Sequence, residues 1–169
     1  MALIGQTFGS KAKLWDAVID NLAAEQQNLL PAIASLCAAN GYAVEERLKN
    51  LIVRFVQISE DRPYLHQLLM RESMDPGPRL DKLVQCLIVP FYMAVRPLLQ
   101  EAVRSNVVRV AEPLALFFLI VNTVATHVTN HNLMNTLAKS TGDRSPNNVI
   151  AVLTSMLLSP ANDAPRKIE

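Results

Sequence analysis

Apolar residues recur at helical spacing along almost the whole of this chain, and no stretch of useful length alternates apolar and polar residues as a strand would. Ser10 is suited to cap a first helix that we expect to reach Asn40, with Pro31 kinking or breaking it after Leu30. Prolines and polar clusters divide the rest into five further helices: one ending before Pro63, one from Pro63 to about Ser73, one from about Pro78 to Arg104, one starting at Pro113, and one starting at Ser145 and Pro146. The sequence therefore predicts an all-α fold, a bundle of about six helices.

Two of these helices carry further signals. Pro90 and Pro97 interrupt the long helix that ends near Arg104, so we expect a bend between them. Residues 114–121 are apolar on every side of the next helix, which predicts a helix that is buried all round.

The composition argues against several classes of function. A net charge of +1 provides no basic field for nucleic acid, and with 5% aromatic residues a base-stacking surface is not expected. The five glycines form no phosphate-binding loop, and the N-terminus does not resemble a signal peptide. The longest apolar run, 114–121, is far shorter than the roughly 18 residues of a membrane span. We therefore expect a soluble cytoplasmic protein without membrane contact, whose two cysteines are reduced and buried.

Polar residues inside strongly apolar helices are candidates for a ligand pocket, because such pockets are mostly apolar with a few placed polar groups. The polar candidates are Gln85, Tyr92, Asn122 and Thr123, and the candidate walls are Phe55, Met70, Phe91 and Phe117. Each of these residues also fits the simpler interpretation of an ordinary core residue.

The fifth and last helices carry more apolar residues than the core of one domain should need, which predicts a homodimer through these helices. The candidate interface residues are Phe118, Val121, Val149, Ile150, Leu153, Met156 and Leu157.

His127 and His131 have the four-residue spacing of metal ligands on a helix, but the sequence supplies no third ligand and no zinc-protease glutamate. Solvated or interface histidines are the simpler interpretation, so neither a metal nor another cofactor is expected. Glu45 and Glu46 fit the start of a helix, where carboxylates are favoured. With no nucleophile elbow in the sequence, we do not expect an enzyme.

Three passages resemble the regulatory domains of TetR-type bacterial transcription factors. Residues 8–11, Phe-Gly-Ser-Lys, are similar to the end of the signature that joins the DNA-reading helix to the first regulatory helix. Residues 55–72 resemble the family's helix, short turn and Leu-rich helix ending in Arg-Glu, and residues 101–113 resemble a helix end, a turn and a restart at Glu-Pro. The resemblance implies a dimer that places one recognition helix per operator half-site, a four-helix dimer interface, and a small apolar or amphipathic ligand among the middle helices.

The same resemblance implies that most of a DNA-binding headpiece would precede Met1. Gln6 and Thr7 stand where the family has an aromatic residue and a histidine, and Lys11 matches a lysine that approaches the DNA backbone. We expect residues 1–9 to be a remnant of the headpiece, 10–159 to be the ligand-binding and dimerisation domain, and 160–169 to be a flexible tail. A misplaced start codon, a natural truncation or a deliberately shortened chain would each give this arrangement. Operator DNA is then a partner only if the headpiece is present.

The predicted function is that of a TetR-like regulator, a repressor released by a small ligand, of which this chain supplies ligand sensing and dimerisation. The alternative is a headless helical dimer that does not bind DNA and acts as a small-molecule binder or a heterodimerising inhibitor. A purely structural helical protein would show a closed core without a pocket.

Overall fold

The computed structural model describes residues 9–39, 41–143 and 148–158, and these residues form seven helices and no strand. The helices are α1 (Lys11–Cys37), α2 (Val44–Asp61), α3 (Pro63–Ser73), α4 (Pro78–Arg104), α5 (Pro113–Thr129), α6 (His131–Thr141) and α7 (Val149–Leu157). The predicted all-α fold is confirmed. A seventh helix arises because the chain bends by 67° at Asn130, which divides the predicted fifth helix into α5 and α6.

Several helix ends lie where the sequence predicts them. The Ser10 hydroxyl accepts a hydrogen bond from the Lys13 backbone N–H at 3.2 Å, which caps α1. Prolines occupy the first turn of α3, α4 and α5, where a missing N–H costs no helical hydrogen bond. The last helix begins with Asn148 as its cap, whose side chain accepts from the Ala151 N–H at 2.9 Å. The start predicted at Ser145 and Pro146 lies outside the described residues.

The predicted break after Leu30 is wrong, whereas the kink at Pro31 and the bend between Pro90 and Pro97 stay predictions. Helix α1 is not broken after Leu30 but continues through Pro31 to Cys37, and the irregular part of α4 is a π-helical turn at Val84–Ile88, before Pro90 rather than after it. Pro31 is exposed, as is Gln27, whose carbonyl loses its helical partner, so water can solvate that carbonyl. Cys86, whose carbonyl loses its helical partner to Pro90, is a half-buried residue, and the helix widens there, with the Val89 N–H donating to the Val84 carbonyl.

The core consists of two apolar clusters. The larger is formed mainly by α2, α4, α5 and α7, and the smaller joins Ile19 and Leu22 of α1 to Leu83 and Leu87 of α4. The 114–121 segment is not buried all round, as predicted, because one face of α5 packs into the larger cluster while the opposite face is exposed. A helix at the edge of a bundle needs a partner on its second side to be fully buried.

A buried arginine holds the ends of three helices together. The Arg47 guanidinium on α2 donates to the Cys37 carbonyl at the end of α1 at 2.9 Å and pairs with Glu101 on α4 at 2.6 Å. Burial raises the pKa of the adjacent Cys37 thiol to about 11, although the charge of Arg47 opposes this shift. The thiol is therefore protonated and unreactive near neutral pH.

By length and composition alone, α4 is apolar enough to cross a membrane, as is the bent pair formed by α5 and α6. The buried side chains of α4 contact α1, α2 and α5 within the bundle. The central helix of a soluble bundle has this same composition.

Candidate ligand pocket

An apolar pocket lies between α1, α2, α3, α4 and α5, with a cavity of about 70 Å³. On the same measure a single water needs about 10–15 Å³, so the cavity has room for a few waters or a small ring. Its lining is apolar apart from four side chains. The lining residues are Gln26, Leu29, Phe55, Ile58, Ser59, Arg62, Leu65, His66, Leu69, Leu87, Ile88, Phe91, Phe117 and Val121.

Three phenylalanines form the inner wall of this pocket. The ring centroids of Phe55 and Phe91 are 5.4 Å apart, and those of Phe91 and Phe117 are 6.1 Å apart. A second cavity of about 10 Å³ lies against the same three rings and Val121. The two cavities therefore share a wall that is formed by these three rings and Val121.

Two buried polar side chains face this apolar space at the corner between α2 and α3. Ser59 is 2% exposed and His66 is 4% exposed, and both line the cavity. Within the part of the chain that the structure describes, neither Ser59 Oγ nor His66 Nδ1 has a hydrogen-bond partner. The Phe55 ring contacts the His66 ring edge to face at 6.0 Å and helps to fix its position.

The other two polar side chains of the lining are paired. Arg62 Nη1 lies 3.3 Å from Glu25 Oε2 on α1. Gln26 Nε2 donates to the Leu87 carbonyl at 2.6 Å, within the π-helical turn of α4. These contacts join α1 to two other walls of the pocket.

The external faces of α5 and α7 carry exposed apolar side chains. Phe118 is 52% exposed and Met156 is 64% exposed, and Leu114, Leu119 and Val152 are also exposed. Since α5 and α7 pack against each other, their exposed apolar residues lie on neighbouring helices.

Residues 44–159, about two thirds of the chain, match the family model described as the C-terminal domain of the HTH-type transcriptional dual regulator CecR. The chain belongs to this family. It is therefore a TetR-like regulatory domain, as the resemblance implied. The match begins at the first residue of α2 and includes most of the pocket lining. No curated protein matches the chain at a significant level.

In this CecR-family domain the structure brings together three of the predicted pocket residues and not the others. Phe55, Phe91 and Phe117 line the cavity. Tyr92 and Thr123 are half-buried outside its lining, although the Tyr92 ring contacts Phe117 at 5.1 Å. Met70, Gln85 and Asn122 are exposed on the outer faces of their helices. The reason is their position around the helix axis. Each of these three residues is one or two positions from an inward-facing residue, so its side chain points about 100–200° away from that residue around the axis.

Sequence reasoning missed Ser59 and His66, the two buried polar residues of the pocket. The signal was present, because Ser59 follows Phe55 by one helical turn on the apolar stripe of α2, and His66 lies among the leucines of α3. Applied to these two stripes, the criterion that selected Gln85 and Asn122 would have selected Ser59 and His66.

The predicted dimer residues fall into exposed, buried and half-buried groups. Phe118 and Met156 are exposed, whereas Val149, Leu153 and Leu157 are buried in the core of their own subunit. Val121 lines the pocket, and Ile150 is half-buried against the core. A short helix at the edge of a bundle must use one stripe to attach to its own subunit, so the three buried residues serve that purpose.

The remaining described candidates, Lys11, His127 and His131, are not part of the pocket lining. Lys11 is exposed in the first turn of α1, and Gln6 and Thr7 lie outside the described residues. The ring centroids of His127 and His131 are 6.4 Å apart, and His131 Nε2 lies 2.8 Å from Asn135 Nδ2. Among the described residues, no three histidine, cysteine or acidic side chains are grouped as a metal site would need.

Burial lowers the pKa of His66 below its ordinary value of 6.5, because the charged ring would lose its hydration. Between the folded and unfolded pKa values the unfolded chain binds more protons, so stability should fall as the pH drops below about 6.5. Urea unfolding at about pH 7.5 and pH 5.5 measures this loss. We expect a smaller loss over that interval for His66→Phe, and equal losses in the two proteins would contradict the assignment.

Proposed function

We propose that this chain senses a small ligand and dimerises within a TetR-like transcriptional regulator that acts in the cytoplasm, as a repressor released by that ligand. The observation that carries the proposal is the position of α1. Its middle part forms one wall of the pocket, and its N-terminal end is capped by Ser10. In this family the segment before that helix reads DNA. A ligand in the pocket would therefore contact the helix that leads toward the DNA-reading end.

The contacts of α1 supply a route for this response. Near the pocket, Gln26 is bonded to the carbonyl of Leu87, so a change in the α4 wall acts directly on α1. Toward its N-terminus, α1 is attached to α4 through the apolar cluster and through Lys82, which lies 2.9 Å from both Asp16 and Asp20. Movement of the α4 wall would thus be transmitted to α1.

Dimerisation is supported by the exposed apolar faces of α5 and α7. Large exposed apolar patches on a protein surface usually mark an interaction site, and exposed apolar residues on these two neighbouring helices fit one. A two-fold axis beside these helices would pair α5 and α7 of one subunit with the same helices of the second. This arrangement is the four-helix interface that the family resemblance implies.

A substitution that fills the cavity should prevent ligand binding. Val121 lines both cavities, so Val121→Phe places additional ring atoms in the space that a ligand would occupy. With benzene as the probe, we expect the wild-type chain to show shifts of pocket methyl resonances in NMR titrations. The variant should bind benzene about tenfold or more weakly, at a cost in stability of about 1–3 kcal/mol from overpacking.

Val89→Phe is the matched control, because Val89 is exposed on α4 and lies outside the pocket lining. Its affinity for benzene should equal that of the wild type. A wild-type pocket that binds neither benzene nor phenol would contradict ligand sensing. In the source cell, deletion of the gene should change a defined set of transcripts, and unchanged transcripts would contradict the regulatory role.

A further inference from the structure

The corner between α2 and α3 places hydrogen-bonding atoms at one end of an otherwise apolar pocket. Ser59 is on the last turn of α2, His66 is on the first turns of α3, and both side chains are more than nine-tenths buried. A hydroxyl offers a donor and acceptor sites, and a neutral imidazole offers one donor and one acceptor. The pair can therefore both donate to a ligand group and accept from it.

These two atoms are unusual for a protein interior. Buried polar side chains almost always have a hydrogen-bond partner, because an unpaired one costs more free energy than an apolar side chain of the same shape. Within the described residues, Ser59 Oγ and His66 Nδ1 have none. Apolar side chains of similar size would line the cavity without this cost, so we take the two polar atoms as evidence for a function in binding.

The charges at the pocket indicate what kind of group fits. Arg62 is the positive side chain of the lining, and its guanidinium is paired with Glu25, so the pocket presents no uncompensated charge from this residue. Burial keeps His66 neutral near pH 7. A charged ligand group would lose its hydration here without gaining an opposite charge.

We propose that the pocket takes an uncharged, compact apolar ligand that carries a hydroxyl or similar group, and that Ser59 and His66 hold this group at the corner between α2 and α3. The inference rests on the proposed function, since it names the ligand class of the sensing pocket. The three phenylalanines enclose the apolar part of the ligand.

Phenol and benzene are suitable probes, because they differ by one hydroxyl and are both uncharged near pH 7. A purely apolar cavity should bind benzene about tenfold or more tightly than phenol, since the hydroxyl would be buried without a partner. If Ser59 and His66 hold the hydroxyl, the wild-type chain should bind phenol at least as tightly as benzene. The dissociation constants come from NMR titrations of the intact chain.

The variant that tests the assignment is Ser59→Ala with His66→Phe. It should retain benzene binding and lose about tenfold or more of its affinity for phenol. The matched control is Ser73→Ala with His131→Phe, which changes the same residue types at exposed positions of α3 and α6 and should leave both affinities unchanged. Removing unpartnered polar atoms breaks no hydrogen bond, and the larger phenylalanine ring should cost about 1–3 kcal/mol of stability at most. The comparison of phenol and benzene in the wild-type chain decides the question even if the variant fails to fold.

Three results would overturn the inference while leaving ligand sensing in place. The first is a wild-type chain that binds benzene tenfold or more tightly than phenol. The second is a ratio of the phenol and benzene dissociation constants that is equal in the wild type and the double variant. The third is tighter binding of benzoate than of phenol to the wild-type chain. Failure of the wild-type chain to bind either benzene or phenol would instead contradict the proposed function itself.

Discussion

Replacing Leu153 with alanine is expected to lower the free energy of unfolding by about 2–5 kcal/mol. Leu153 is 2% exposed and attaches α7 to α2 and α5, so alanine leaves a cavity that the surrounding helices fill only in part. Urea unfolding followed by circular dichroism measures the loss. Because the residue belongs to the core of its own subunit, the loss should be the same when the protein concentration is varied tenfold.

The matched control is Leu133→Ala, at an exposed leucine of α6. A surface substitution of this kind should change the stability by no more than about 0.5 kcal/mol. If the cost of Leu153→Ala instead rose strongly with protein concentration, Leu153 would lie in a dimer interface, as its sequence pattern first suggested, and the assignment to the subunit core would be wrong.

The paired substitution Phe118→Glu and Met156→Glu is expected to convert the proposed dimer to a monomer. Both side chains are exposed in the single chain, so glutamate is tolerated in the isolated subunit. Within an interface that buries the apolar faces of α5 and α7, the four new charges of a dimer would be desolvated and would repel each other. We expect the dissociation constant to rise by about 100-fold or more, measured by sedimentation equilibrium at micromolar concentration.

Met70→Glu is the control for this change, because Met70 is about as exposed as Phe118 but lies on α3. It should leave the association constant unchanged. A wild-type chain that is monomeric at these concentrations, or a doubly substituted chain that still dimerises like the wild type, would contradict an interface on α5 and α7.

Much of the helical architecture could be predicted from local signals. The cap at Ser10, the helix starts at Pro63, Pro78 and Pro113, and the apolar stripes all depend on residues close together in the chain. The effects of Pro31 and Pro90 could not be predicted in this way. Whether a proline breaks a helix depends on whether the carbonyl that it frees is solvated, and solvation is a property of the folded molecule.

The pocket was predicted in part, for a similar reason. Phe55, Phe91 and Phe117 were found because large aromatic residues on buried stripes are core residues in almost any packing of these helices. Gln85 and Asn122 were selected because they interrupt apolar sequences, but the structure places both on exposed faces. The sequence shows which residues share one face of a helix, whereas the neighbouring helices decide which face is turned toward the core.

The sequence by itself determined that this chain forms helices, where most of them begin, and which family it resembles, because these features depend on spacing and local hydrogen bonding. The tertiary structure alone decided which apolar stripe faces the core. It assigned Leu153 to the subunit core, left Phe118 exposed, and placed Ser59 and His66 at one cavity. The physical reason is that a helix with apolar residues on several sides is stable in more than one orientation, and packing against its neighbours selects the orientation that it adopts.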